Sequence, residues 1–168
     1  MISLGDDEWE QVLRLLWKHS IVGLALVNPD GTFRSVSPAF CRIVEYTSAE
    51  LKKMKFQDIT LPSDTAPDME MGQEVMDRQI EGYDMTKSYI TKSRRVQTVL
   101  LRVSGLEMND QFICFVSQIL PASPVGAKPR DIVKRDYLKQ VRENWQQILV
   151  VTGAVAMVLS EVVKYYKG

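Results

Sequence analysis

The segment spanning residues 21–51 constrains the fold more than any other, because it combines two strand patterns with two helix starts. Residues 21–27 are almost wholly apolar and rich in branched side chains, which predicts a strand buried on both faces. The following Asn-Pro-Asp-Gly at 28–31 favours a tight turn, because proline presets φ and Asp-Gly tolerates positive φ. We therefore expect residues 32–36 to return as an antiparallel partner and complete a hairpin.

Two short helices are predicted directly after the hairpin. Ser37 and Pro38 have the pattern of an N-cap hydroxyl followed by proline at the first helical position. Thr47 and Glu50 have the spacing of a capping box, in which each side chain binds a backbone N–H at the start of the helix. The two helices should therefore run end to end.

Taken in order, these motifs resemble those of the PAS sensor domains. The residues that carry the resemblance are the apolar strand, the Asp-Gly turn, Ser-Pro-Ala-Phe at 37–40, Tyr-Thr-Ser at 46–48, Glu-Leu at 50–51 and Leu-Pro-Ser-Asp at 61–64. The resemblance covers roughly residues 17–120. Two departures concern loops: Glu45 stands where the family often has glycine, and Lys-Ser-Arg at 92–94 replaces its usual Lys-Asp-Gly turn.

The predicted fold class is α+β, a PAS-like five-stranded antiparallel sheet with helices inserted between strands 2 and 3. Beyond the hairpin, residue patterns predict strands over 83–92, 96–106 and 111–119, and a helix over 68–81 that Gly82 stops. An N-terminal amphipathic helix is predicted over residues 3–18, with Ser3 as its N-cap. The predicted organisation is a flanking helix at 1–18, a PAS-like domain at 19–120, a linker rich in proline and serine at 121–130, and a C-terminal helix at 131–168.

Enzymatic and metal-binding classes are disfavoured by the residues present. His19 is the only histidine, and Cys41 and Cys114 form no spaced cluster, so neither a catalytic triad nor a metal site is expected. No glycine-rich phosphate loop follows a strand, and no kinase, nuclease or cyclase signature occurs. The 21 basic and 21 acidic residues cancel, so the chain lacks the footprint of a nucleic-acid binder.

The PAS resemblance implies a pocket, but not the two best-known cofactors. Haem-binding members carry a histidine on the helix predicted here at 68–81, which has none. Flavin photoreceptors carry Gly-x-Asn-Cys-Arg-Phe-Leu-Gln just before that helix, and residues 64–71 lack this motif. No cofactor is therefore expected. A small apolar ligand remains an alternative to a filled core, and it would lie among Phe40, Val44, Met76, Ile80, Leu101 and Phe115.

The N-terminal helix carries an apolar stripe that predicts a homodimer. The stripe consists of Trp9, Leu13, Leu16 and Trp17, and it lies beside a sheet predicted to be apolar on both faces. We expect the stripe to be the dimer contact.

The C-terminal helix has the length and composition of a membrane anchor. Residues 145–166 would extend about 33 Å as a helix, which matches the hydrocarbon core of a bilayer at about 30 Å. The residues that mark the anchor are Trp145, Ile148, Leu159, Tyr165 and Tyr166, with aromatic side chains at both ends of an apolar run. Six basic residues precede the run and two follow it, which places the PAS-like domain in the cytoplasm.

Two interpretations of this helix are open. Thr152, Ala156 and Ser160 are small residues spaced by four, a pattern that lets two membrane helices pair. Heptad spacing along the same helix is also typical of a soluble coiled coil. The predicted function is a non-enzymatic, single-pass membrane PAS sensor or interaction module in signal transduction, acting on an unknown signalling partner. The alternative is a cytoplasmic PAS adaptor that oligomerises or binds a partner helix.

Overall fold

The computed structural model describes residues 5–122, which contain four α-helices, one 3₁₀ helix and five strands. Their order is α1 (Asp6–His19), β1 (Gly23–Val27), β2 (Phe33–Val36), α2 (Pro38–Val44), α3 (Ser48–Leu51), the 3₁₀ helix (Phe56–Ile59), α4 (Pro62–Met76), β3 (Gly82–Ile90), β4 (Val96–Met108) and β5 (Gln111–Pro121). The predicted C-terminal helix, with its anchor and pairing residues, and nearly all of the predicted linker lie outside the described residues. No helix between residues 5 and 122 is long and apolar enough to cross a bilayer.

The five strands form one antiparallel sheet in the order β2-β1-β5-β4-β3. β1 pairs with both β2 and β5, whereas β3 pairs with β4 from Gly82 opposite Ser104 to Ile90 opposite Val96. Helices α2, α3 and α4 lie between β2 and β3 along the chain. This confirms the predicted α+β class, including the position of the inserted helices.

The prediction that β1 is buried on both faces is wrong. Burial alternates along the strand: Gly23, Ala25 and Val27 are buried, while Leu24 and Leu26 are half-buried. The alternation follows from the pleat of the strand, which sends successive side chains to opposite faces of the sheet. Only the face that carries the buried set is fully covered, so apolar composition overstated the burial of β1.

The predicted caps of the short helices are confirmed. The Ser37 hydroxyl oxygen accepts a hydrogen bond from the Phe40 N–H at 3.3 Å, and also from the Leu24 N–H at 2.8 Å. Thr47 and Glu50 form the expected reciprocal capping box. Because Ser37 binds both α2 and β1, its cap fixes the helix against the sheet.

Helix α1 begins later than predicted. Its N-cap is Gly5, whose N–H donates to Glu8 Oε2 at 2.8 Å. The predicted cap Ser3 lies outside the described residues. Helix α1 contacts α2.

Helix α4 spans Pro62–Met76, so the predicted range of 68–81 is wrong at both ends. Pro62 occupies the first turn, where a missing N–H is tolerated, and Pro67 lies inside the helix instead of ending a preceding loop. After α4, Arg78 adopts a φ of +60°, and Gly82 opens β3 instead of stopping the helix. The shift moves Asp68 from the predicted helix start to the second turn of α4.

The core lies between the helices and the covered face of the sheet. The Phe40 ring is at its centre, with centroids of Phe33 and Tyr89 each at 5.6 Å. Val44 and Leu51 are fully buried beside it. The α2 and α3 region is therefore a filled core.

Candidate functional site

A cavity of about 280 Å³ lies among α4, the 3₁₀ helix and the covered face of the sheet. Its apolar walls include Ala25, Val27, Phe33, Met76, Leu101, Val103 and Phe115. Polar side chains also reach it, among them Gln57, Asp68, Tyr83, Lys87 and Ser117. Mostly apolar walls with a few polar groups are typical of a small-molecule site, although this volume is just below the common range of about 300–1,000 Å³.

A buried cluster of three side chains, Asp68, Lys87 and Tyr83, is the main polar feature of the cavity. The Lys87 ammonium donates to Asp68 Oδ2, and the side chains of Lys87 and Asp68 are only 1% and 4% exposed. The Tyr83 hydroxyl donates to Asp68 Oδ1 at 2.6 Å. Both carboxylate oxygens are therefore hydrogen-bonded, as a charge buried in an apolar region requires.

The period of β3 and the pitch of α4 explain how these residues meet. Tyr83, Lys87 and Tyr89 occupy alternate positions on β3, so they lie on the same face of the sheet. Asp68 lies on the second turn of α4, which contacts β3. Nineteen residues separate Asp68 from Lys87 in the sequence, and the packing of α4 on β3 closes that separation.

Two aromatic rings flank the Lys87 ammonium. Its Nζ lies 4.6 Å from the centroid of the Phe56 ring and 4.9 Å from that of Tyr89, within the range of cation–π interactions. Burial lowers the pKa of Lys87, and the Asp68 carboxylate opposes that shift. Lys87 is therefore held by one full negative charge and two ring faces.

The two tyrosines of β3 are held in their protonated form. Burial raises the pKa of Tyr83, and the negative charge of Asp68 raises it further. The pKa of Tyr89 is raised for the same two reasons, again with burial first. Tyr83 consequently remains a hydrogen-bond donor to Asp68 over the whole physiological pH range.

Gln57 contributes a different kind of polar group. Its Oε1 is buried and has no hydrogen-bond partner among residues 5–122, although the side chain lines the cavity. Gly31, at a φ of +87°, leaves room for this amide, because a Cβ there would lie 2.7 Å from Gln57 Oε1. A buried acceptor without a partner costs free energy, so this atom is suited to binding a donor from a ligand.

Comparison with known proteins gives one relative in sequence. The chain is 30% identical over 114 residues to the "Probable diguanylate cyclase DgcE" of Escherichia coli (strain K12). The match covers 67% of this chain but 10% of the relative, so the chain spans about a tenth of that protein's length. No family model matches the chain.

Solved PAS domains superpose on most of the described residues. A PAS domain from Colwellia psychrerythraea matches with a TM-score of 0.62 at 9% identity, over 68% of this chain and 97% of that one. The PAS domain of an HTR-like protein from Haloarcula marismortui matches with a TM-score of 0.58 at 16% identity, over 68% and 93%. A PAS domain from a two-component sensor histidine kinase matches with a TM-score of 0.54 at 23% identity, over 70% and 97%. The chain has the PAS fold.

Within this PAS fold, the six residues predicted to line a pocket fall into two groups. Met76, Leu101 and Phe115 line the cavity. Phe40 and Val44 lie in the filled core, and Ile80, in the turn after α4, is partly buried against it. The predicted set is thus divided between a cavity wall and packed interior.

The polar residues of the cavity were not predicted from the sequence. The alternation of Tyr83, Met85 and Tyr89 was recognised, and the same period places Lys87 on their face. A lysine at an inward position of a strand is a signal that could have been used, because a buried lysine requires a counter-charge. The counter-charge, Asp68, could not be chosen from among the nearby acids by periodicity.

The residues predicted for dimerisation lie on α1. Trp9, Leu13 and Trp17 are half-buried, and Leu16 is exposed. Helix α1 therefore presents part of its apolar stripe to solvent in this single chain.

No group of three or more potential metal-ligating side chains occurs in the part of the chain that the structure describes. His19 is exposed at the last position of α1.

A surface cluster formed by Glu45, Ser93 and Arg95 joins the two departures from the PAS pattern. Glu45, at a φ of +65°, accepts hydrogen bonds from the Ser93 N–H at 3.2 Å, from the Ser93 hydroxyl and from the Arg95 guanidinium. Those donors, chiefly Ser93 and then Arg95, lower the pKa of Glu45 to about 2. The unusual glutamate and the unusual turn therefore contact each other.

Proposed function

We propose that this chain is a signal-transduction sensor whose PAS domain binds a small molecule in the cavity beneath α4. The observation that carries the proposal is an apolar cavity with a buried, hydrogen-bonded ionic cluster in its wall. An ionic pair costs more free energy to bury than apolar side chains of the same volume, so it contributes little to stability at this position. It does supply oriented polar groups to a ligand.

The contacts of α4 suggest how an occupied cavity changes the domain. Ser88 of β3 binds the start of α4 twice, through the Leu61 N–H at 2.8 Å and through Asp64 Oδ2 at 2.7 Å. Asp68 binds the same strand one helical turn later. A ligand between α4 and the sheet contacts both sides of this connection, and it favours whichever position of α4 binds it better.

The relatives support a role in signalling, and the domain's output is assigned to other protein. One is called a probable diguanylate cyclase and another is part of a sensor histidine kinase. The residues described here match the PAS portion in each case, so we propose that this chain senses without catalysing a reaction. An unidentified signalling partner would carry the output.

Membrane attachment and dimerisation complete the proposal. We place residues 145–166 across the cell membrane, with the PAS domain in the cytoplasm. Carbonate extraction of membranes tests this: the full chain should remain in the pellet. Release into the supernatant would contradict the anchor and favour the soluble coiled-coil adaptor.

Dimerisation is assigned to the stripe on α1. Replacing Trp9 and Leu13 together with glutamate should convert dimers to monomers in light scattering, because both side chains are only half-buried in the single chain. Glu10→Lys changes the exposed side of the same helix and should leave the mass unchanged. An unchanged mass in the double variant would contradict the assignment.

A cavity-filling variant tests ligand binding itself. A Cβ at Gly72 would lie 3.6 Å from Phe115 Cζ, so the side chain of a Gly72→Leu variant would enter the cavity. Small molecules that raise the unfolding temperature of the full chain should lose this effect in Gly72→Leu. Ala66→Leu, on the exposed side of the same helix, should retain it. A panel without any stabilising compound, or compounds that stabilise Gly72→Leu equally, would contradict the proposal.

A further inference from the structure

We infer that the cavity selects a compact, uncharged molecule that carries a hydroxyl group at one end and an apolar body. The inference rests on the proposed function, because it assumes that the cavity binds a ligand. It names the chemical class of that ligand from three properties of the wall: its charge balance, its polar atoms and its volume.

The charge balance excludes ions. Lys87 and Asp68 already neutralise each other, and Tyr83 remains protonated beside them. A ligand carboxylate or ammonium would therefore enter an apolar cavity without a counter-charge of its own. An unpaired charge in such surroundings is strongly disfavoured, because it loses its hydration and gains no ionic partner.

The polar atoms of the wall call for a group that both donates and accepts. An ammonium has three N–H donors, and among residues 5–122 Lys87 uses one of them on an acceptor oxygen, that of Asp68. Gln57 Oε1, on the residue next to Phe56, has no donor in the same part of the chain. A hydroxyl oxygen can accept from Lys87 while its hydrogen goes to Gln57. A ketone or an ether would satisfy Lys87 only.

The volume limits the rest of the molecule. A cavity of about 280 Å³ corresponds to roughly nine water molecules at about 30 Å³ each, so the ligand has on the order of ten non-hydrogen atoms. Val27, Met76, Leu101 and Phe115 provide apolar wall for its body. A small aromatic or branched aliphatic alcohol meets all three conditions.

Four probes of one size test the class. Benzyl alcohol, toluene, benzoate and benzylammonium share a ring and differ in the polar group. They are titrated into the purified full chain, and the unfolding temperature is followed by circular dichroism. At ten times its own Kd, benzyl alcohol should raise this temperature by about 5 °C. Toluene should bind about tenfold more weakly, and the two ions should leave the temperature unchanged.

Paired substitutions connect the preference to the named residues. Lys87→Met with Asp68→Asn removes both charges and keeps an acceptor for the Tyr83 hydroxyl, so it leaves no unpaired ion in the cavity. It should abolish the roughly tenfold preference for benzyl alcohol over toluene, the size expected for a hydrogen bond to a charged group. Gln57→Met should reduce the preference about threefold. The matched control is Arg102→Met with Asp84→Asn, an ion pair between β3 and β4 on the exposed surface, and it should leave the preference unchanged.

The outcomes separate this inference from the proposed function. Stabilisation by benzoate or benzylammonium equal to that by benzyl alcohol would overturn the uncharged class while the ligand-binding cavity stands. Equal Kd values for benzyl alcohol and toluene would overturn the assignment to Lys87 and Gln57. If none of the four probes binds, the inference fails, and the Gly72→Leu experiment decides independently whether the cavity binds other ligands.

Discussion

The buried cluster of Asp68, Lys87 and Tyr83 and the surface cluster of Glu45, Ser93 and Arg95 are built from similar chemistry in different surroundings. Each centres on a carboxylate that accepts from a cation and from a hydroxyl. Lys87 is almost wholly buried, whereas the Arg95 side chain is 56% exposed. The comparison teaches that burial decides the consequence of losing one partner: water replaces it at the surface and cannot replace it inside.

Removing one buried charge should have the largest effect. Lys87→Met leaves Asp68 ionised and unpaired, and we expect a loss of about 3–5 kcal/mol in the free energy of unfolding, measured by urea denaturation. Lys87→Met with Asp68→Asn should unfold within about 1 kcal/mol of the natural chain, because no charge is stranded. A single variant as stable as the double variant would show that water reaches the pair.

Losing the phenol should have the next largest effect. Tyr83→Phe removes a hydrogen bond to a buried charge, and we expect a cost of about 1.5–3 kcal/mol near neutral pH. Because the folded pKa of Tyr83 is raised, its contribution is present below the unfolded value of about 10 and is lost as the pH rises above it. Stability of the natural chain should therefore fall more steeply above pH 10 than that of Tyr83→Phe, as followed by urea denaturation at each pH. Parallel pH profiles would contradict this.

A change in the cavity wall that leaves both clusters intact should stabilise the domain. Gly72→Ala places a methyl group in ordinary contact with Phe115 and replaces a helical glycine, so we expect a gain of about 0.5–1 kcal/mol by urea denaturation. The same variant should weaken benzyl alcohol binding, because the methyl group narrows the cavity. A loss of stability would indicate that α4 cannot accommodate the added methyl group.

The surface cluster should give the smallest effect. Glu45→Gln should cost about 0.5 kcal/mol at neutral pH, since the carboxylate is accessible to water. The lowered pKa of Glu45 means that its contribution is present above the ordinary value of 4.5 and is lost as the pH falls toward about 2. The natural chain and the variant should therefore converge in stability below pH 3, as followed by acid unfolding. A cost at neutral pH as large as that of Lys87→Met would remove the distinction between the two clusters.

Local patterns predicted the parts of this fold that depend on neighbouring residues. The hairpin, the Ser37 cap and the Thr47–Glu50 capping box each involve short separations along the chain, and each is confirmed. The limits of α4 were wrong because a proline inside a helix and a proline before a helix look alike in sequence. Pro67 was taken for a boundary, and tertiary packing tolerates it within the helix.

The candidate site depends on contacts that a local pattern does not contain. Asp68 meets Lys87 only because α4 packs on β3, and Glu45 meets Ser93 across 48 residues. Apolar periodicity did identify Met76, Leu101 and Phe115, which line the cavity, but it identified Phe40 and Val44 equally well, and these fill the core. Periodicity reports which face is covered, and only the packing of the elements determines where a space remains.

Mass spectrometry of the small molecules released by denaturing the full chain tests the central claim most directly. The natural chain, purified without added alcohols, should release an uncharged molecule of on the order of ten non-hydrogen atoms that carries a hydroxyl group. Lys87→Met with Asp68→Asn, and separately Gly72→Leu, should release at least tenfold less of it. A natural chain that releases nothing, an ionic molecule instead, or equal amounts from all three proteins, would contradict the account.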